Sequence, residues 1–127
     1  MTRLGKNSII IATVLAGILT GCGGSSNSTP TTAVVADVVV TAENGLRFGQ
    51  SSYSAKAGDL SVAFVNNDTI HHMLVVVNDG TQVGGFELSV SKKGDVDRGM
   101  VSLEPGTYIL MCTVPGHQNM KADFTVS

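Results

Sequence analysis

The stretch Glu104-Pro105-Gly106-Thr107-Tyr108-Ile109-Leu110-Met111-Cys112-Thr113-Val114-Pro115-Gly116-His117-Gln118-Asn119-Met120 contains a turn, a strand and a loop of metal donors in that order. Glu104-Pro105-Gly106 reads as the turn, and Thr107 to Cys112 as a β-type run. From Cys112 onward a thiolate, an imidazole and a thioether fall within nine residues. Soft sulfur donors beside an imidazole favour copper over magnesium or calcium. A second imidazole is available upstream in Ile70-His71-His72-Met73, which a sandwich of strands can bring to the same place. Adjacent residues of a strand point to opposite faces, so at most one of His71 and His72 can reach the metal.

The same grammar of short runs and marked turns extends outward from this stretch. Runs at Val34 to Thr41, Leu46 to Phe48, Tyr53 to Ala57, Leu60 to Val65, His72 to Val77, Gln82 to Val90, Gly99 to Leu103, Thr107 to Cys112 and Lys121 to Val126 alternate with turn signals. Glu43-Asn44-Gly45, Lys56-Ala57-Gly58-Asp59, Asn66-Asn67-Asp68 and Asn78-Asp79-Gly80 are such signals. No amphipathic helical period stands out. The pattern predicts an all-β domain, a Greek-key β-sandwich of about seven to eight strands. The charged segment Ser89 to Arg98, with Lys92, Lys93, Asp95 and Asp97, lacks periodicity and reads as a solvated connection.

Length and composition set the bounds. The chain has 127 residues, 43% of them hydrophobic, which allows one domain with a real core. The net charge is -2 and there is no basic run, so no nucleic-acid partner is expected. The 15 glycines, with abundant Val and Thr, agree with a β domain.

The C-terminal third, from Glu104-Pro105-Gly106-Thr107-Tyr108 through Cys112-Thr113-Val114-Pro115-Gly116-His117, resembles the plastocyanin and azurin group of cupredoxins. Leu46-Arg47-Phe48, Ala57-Gly58-Asp59 and Asn66-Asn67-Asp68 leading into His72 extend the likeness over residues 33 to 127. The resemblance implies a cupredoxin-like sandwich with one type 1 copper ion at one end. It further implies that Cys112 is the thiolate ligand, His117 one imidazole, Met120 the axial thioether and His72 the other imidazole. His72 is preferred to His71 because the family's ligand follows a polar turn at about this interval and begins an apolar strand, here Leu74 to Val77. His117 follows Cys112 by five positions, as in azurin-like loops, and Met120 follows His117 by three rather than azurin's typical four. The family's Asn after the first ligand is replaced by Met73, so Thr113 is an alternative hydrogen-bonding group beside Cys112. Zinc is a poorer match to this donor set, since its structural sites use four Cys or His ligands and a thioether is a poor fourth.

The N-terminus carries a separate message. Arg3 and Lys6 precede an apolar run from Ile9 to Leu19, eleven residues and too short to span ~30 Å of hydrocarbon at 1.5 Å per residue. Leu19-Thr20-Gly21-Cys22 resembles a bacterial lipobox, which implies a signal peptide over 1 to 21 and lipidation of Cys22. Residues 22 to 32, rich in Gly, Ser and Thr, read as a flexible tether, and 33 to 127 as the copper domain. Loss of Arg3 and Lys6 with the leader would take the net charge to -4. With Cys22 acylated, Cys112 has no disulfide partner, and an odd thiol in an exported chain is either reactive or ligating.

Together these features predict a membrane-tethered carrier of single electrons in the cell envelope, periplasmic or on the outer face of a membrane, and not an enzyme. Its partners are expected to be redox proteins met by transient docking and the membrane met through the lipid anchor, and the chain is expected to be a monomer. A copper-binding protein for delivery to an oxidase or for copper resistance is the alternative. Three histidines and the lack of a Met-rich or His-rich tract favour the carrier.

Overall fold

A computed structural model describes residues 33–127; the signal peptide, the lipidation at Cys22 and the tether expected from the sequence lie outside the described residues. The described chain is all β, in nine strands: β1 (Val38–Glu43), β2 (Arg47–Phe48), β3 (Ser52–Ala55), β4 (Gly58–Asn66), β5 (His72–Asn78), β6 (Thr81–Val90), β7 (Val96–Leu103), β8 (Gly106–Met111) and β9 (Lys121–Val126). They form a four-stranded sheet in the order β2-β1-β4-β7 and a five-stranded sheet in the order β3-β9-β8-β5-β6. Both sheets are mixed, with parallel pairs β1/β4 and β3/β9 and antiparallel pairs elsewhere. The expected seven to eight strands become nine when the two-residue β2 is counted.

Alternation drives this arrangement. In β1, Val38, Val40 and Ala42 are buried while Val39, Thr41 and Glu43 are only partly so; in β9, Ala122, Phe124 and Val126 point in and Lys121, Asp123 and Thr125 point out. Side chains of period two on each sheet therefore meet in one core, where Phe64, Leu74, Leu110 and Phe124 are almost fully sequestered. The β5–β6 turn is the one the dipeptide Asp79-Gly80 announces: φ is +48° and +79° at these two residues, and Asn78 pairs with Thr81 across them. Positive φ at both central positions is the requirement of a type I′ hairpin.

The segment Ser89 to Arg98 is not a bare connection. Ser89 and Val90 end β6, and Val96, Asp97 and Arg98 pair with Val65, Phe64 and Ala63 of β4. Asp97 and Arg98 break its hydrophobic alternation, which hid the strand, but the backbone carries the ladder. The turn between is closed by the Asp95 carboxylate, which accepts from the N–H groups of Ser91 (2.9 Å) and Lys92 (3.1 Å).

Such carboxylates give the fold an acid limit. Hydrogen bonds from backbone N–H groups hold Asp95 and Asp37 below the ordinary range, through Ser91 and Lys92 for the first and Ser61 for the second; the Asn67 side chain does the same for Glu43. Because these folded-state values are depressed, the stabilisation is present above the unfolded carboxylate range and is lost as pH falls below about 4. Urea midpoints should fall between about pH 5 and pH 2. Asp95→Asn should flatten that slope, and an unchanged slope would leave the turn without this role.

Candidate metal centre

The β5/β8 register brings the distant donors together. Val75, Val76 and Val77 pair with Met111, Leu110 and Ile109, so the start of β5 and the end of β8 lie side by side at one end of the five-stranded sheet. There the Met73 N–H points at Cys112 Sγ at 3.5 Å. His72 begins β5 with its side chain inward and fully buried. His71 points outward, its Nε2 2.9 Å from Ser89 Oγ. The two-face argument thus resolves as His72 inside and His71 outside.

Past β8 the chain makes two successive turns. The His117 N–H donates to the Val114 carbonyl at 2.9 Å, with Pro115 and Gly116 between and φ of +89° at Gly116. Pro then a positive-φ Gly is the sequence of a type II turn. The Met120 N–H donates to the His117 carbonyl at 2.8 Å, and the Cys112 N–H to the Met120 carbonyl at 3.1 Å, closing the loop on itself. This holds Cys112 and Met120, both fully buried, against one another at the backbone, and leaves His117 partly exposed. A Cβ on Gly116 would meet nothing within 4 Å, so Gly116→Ala costs only the left-handed backbone, about 1–2 kcal/mol. Chemical denaturation should show that loss; a variant as stable as the parent would mean the turn relaxes into another form.

The donor atoms of His72, Cys112 and His117 lie within 4.8 Å of one another. Cys112 Sγ is 3.7 Å from His117 Nδ1, and the two imidazole centroids are 5.1 Å apart. His72 Nε2 lies 3.0 Å from Asp68 Oδ2. An ionised carboxylate only accepts, so Nε2 carries the proton and Nδ1 is left with a free lone pair. Among the described residues, His72 Nδ1 is the buried side-chain nitrogen or oxygen without a hydrogen-bond partner. A buried polar atom left alone beside a thiol and a second imidazole fits a metal ligand, and two nitrogens with a thiolate suit copper.

Asp68 escaped the sequence reading, which took Asn66-Asn67-Asp68 only as a turn. The hydrogen bond from His72 holds its carboxyl below the usual carboxylate range. The loop is shaped by Asn66, fully buried, whose Nδ2 donates to the Ile70 carbonyl at 2.8 Å and whose Oδ1 accepts from the Asp68 N–H at 3.0 Å. An Asn side chain in a turn can accept the backbone N–H two residues on, and that was the one available clue. Bracing of the Cys112 side takes the form expected where Asn gives way to Met: the Thr113 hydroxyl donates to Met73 Sδ at 3.7 Å.

Comparison with known proteins agrees with this geometry. Residues 35–127 match the family of copper binding proteins described as plastocyanin/azurin. Reduced auracyanin from the photosynthetic bacterium Roseiflexus castenholzii is 17% identical with a TM-score of 0.61, the match covering 75% of this chain and 99% of that one. Auracyanin B is 25% identical with a TM-score of 0.56, over 75% of this chain and 92% of the other. A purple cupredoxin from Nitrosopumilus maritimus is 21% identical with a TM-score of 0.57, over 72% of this chain and all of the other, 100%. Among curated proteins there is no significant match. A sandwich that gathers two imidazoles and a thiolate at one end, over a span the family covers almost entirely, makes this chain a member of the plastocyanin/azurin family of copper-binding proteins.

Proposed function

We propose that the protein is a type 1 copper electron carrier, tethered to a membrane of the cell envelope through Cys22 and catalysing no reaction of its own. The observation that supports this most directly is the convergence of the His72, Cys112 and His117 donor atoms within 4.8 Å. Two strands and a loop closed on itself by hydrogen bonds hold these donors, and a site so held changes little between oxidation states, which is what fast single-electron exchange requires. Copper, when bound, supplies the one-electron couple.

Each residue then has a part. Cys112 offers a buried thiolate anchored by the Met73 N–H, and His72 an imidazole of fixed tautomer. Met120, fully buried and joined to Cys112 through its backbone carbonyl, would supply the thioether donor. His117, partly exposed at the edge of the Val114-Pro115-Gly116 turn, is the path by which electrons reach a docked redox partner. Such encounters bury less than about 1,200 Å², and a monomer that presents the Val114-Pro115-Gly116 turn beside His117 suits them.

The test is to load the protein with Cu(II), reduce it, and challenge the Cu(I) form with a strong Cu(I) chelator while following electron exchange with a small redox protein. A carrier keeps its copper and turns over; a delivery protein surrenders Cu(I). Met120→Leu should keep copper and colour while raising the reduction potential, by about 59 mV for each tenfold loss of Cu(II) preference. An identical potential would take Met120 out of the ligand set. For the tether, radiolabelled fatty acid should enter the wild-type chain and not Cys22→Ala.

A further inference from the structure

We propose that Asp68 is a positioning residue: its carboxylate fixes the His72 tautomer that faces the metal and biases the site towards oxidised copper. The inference rests on His72 being a copper ligand.

The carboxylate is held at both oxygens. Oδ1 accepts the Thr69 N–H at 2.7 Å, and Oδ2 faces His72 Nε2 at 3.0 Å. The residue is 6% exposed, and its own N–H is fastened to Asn66 Oδ1. Its side chain is therefore fixed by the loop, and it fixes the ring in turn. A backbone carbonyl could have accepted the Nε2 proton equally well. A carboxylate adds a full negative charge, and burying one is costly unless it is paired.

Among the described residues no Lys or Arg pairs with Asp68, whose carboxylate meets the His72 ring. A ring that keeps Nδ1 free for a ligand cannot also be protonated there, so the ring itself brings no charge to balance the carboxylate. The balancing charge is the one that arrives at Nδ1. Opposite charges across a sequestered ring favour the more positive ion, so the carboxylate stabilises Cu(II) more than Cu(I). Two effects are thus separable, a hydrogen bond that sets the tautomer and a charge that sets the oxidation preference.

Asp68→Asn keeps an oxygen to accept the Nε2 proton and removes the charge; Asp68→Ala removes both. The first measurement needs no copper. In ¹⁵N spectra of the metal-free protein, His72 should be the Nε2–H tautomer in the wild type and in Asp68→Asn, and a tautomer mixture in Asp68→Ala. The second is the reduction potential of the copper-loaded proteins. Both variants should lose about tenfold in preference for Cu(II) over Cu(I), a rise of about 59 mV, and Asp68→Ala should also lose about 10–100-fold in Cu(II) affinity. An Nδ1–H tautomer in the wild-type apoprotein, or an unmoved potential in Asp68→Asn, overturns the proposal. The underlying ligand assignment fails separately: a His72→Ala protein with unchanged copper absorption would remove His72 from the site, whatever its tautomer.

Discussion

Cys112→Ser abolishes the intense visible absorption expected of the Cu(II) protein. That band requires charge transfer from a thiolate bound to copper, and Cys112 is the one sulfur among the three donors that converge within 4.8 Å. The other candidate sulfur, Met120, is a thioether, a weak axial donor in such sites. Serine is nearly isosteric with cysteine, and the Met73 N–H that meets Cys112 Sγ at 3.5 Å can meet a hydroxyl oxygen instead, so the fold should survive. Colour is thus lost without unfolding, which circular dichroism distinguishes from collapse. A variant that keeps the parent's absorption would eliminate Cys112 as a ligand and leave the site without its defining atom.

Asn66→Ala should cost about 2–4 kcal/mol, the largest loss expected of a single polar substitution in the described domain. Asn66 lies at the end of β4, fully buried, with all of its hydrogen-bonding groups in use. Its N–H donates to the Asp95 carbonyl at 2.9 Å and its carbonyl accepts from Gly94 at 2.7 Å, which ties β4 to the β6–β7 turn. Alanine keeps these backbone bonds. It loses the two side-chain bonds that fold residues 66 to 70, and leaves the Ile70 carbonyl and the Asp68 N–H to find other partners. Because Asp68 buttresses His72, copper affinity should fall together with stability. A loss below about 1 kcal/mol in urea would mean that water replaces the amide without cost.

How much of this was legible in the sequence depends on how local each signal was. The Cys112 to Met120 loop could be read because its donors and its Pro115-Gly116 turn are neighbours in sequence, and the turn chemistry is carried by the residues themselves. The choice between His71 and His72 needed the period of a strand as well as the family's spacing; His71 lies exposed just before β5 and His72 opens the strand buried. The strand at Val96–Leu103 was read short because Asp97 and Arg98 break the hydrophobic alternation, although backbone pairing with β4 does not depend on side-chain polarity. The two residues of β2 are too few for any period. Asp68 was the least legible. Its role depends on a loop bent by a buried amide two residues earlier, and a carboxylate at a turn ordinarily signals only solvent.

The order in which β9 joins the sheet bears on the thiol before the protein is finished. β9 pairs with β8 on one side and, in parallel, with β3 on the other, Ser52 lying opposite Asp123. That contact spans most of the domain, and contacts so far apart in sequence are late and slow to form. The loop that shelters Cys112 is closed by the Met120 carbonyl immediately before β9, so the sulfur is covered once the last stretch of chain has folded back on β8. Until then the sulfur is an open thiol, and in an oxidising medium an accessible thiolate can climb to sulfenic and then irreversibly to sulfinic acid. Closing the C-terminal hairpin therefore shields the one thiol among the converging donors as well as placing it.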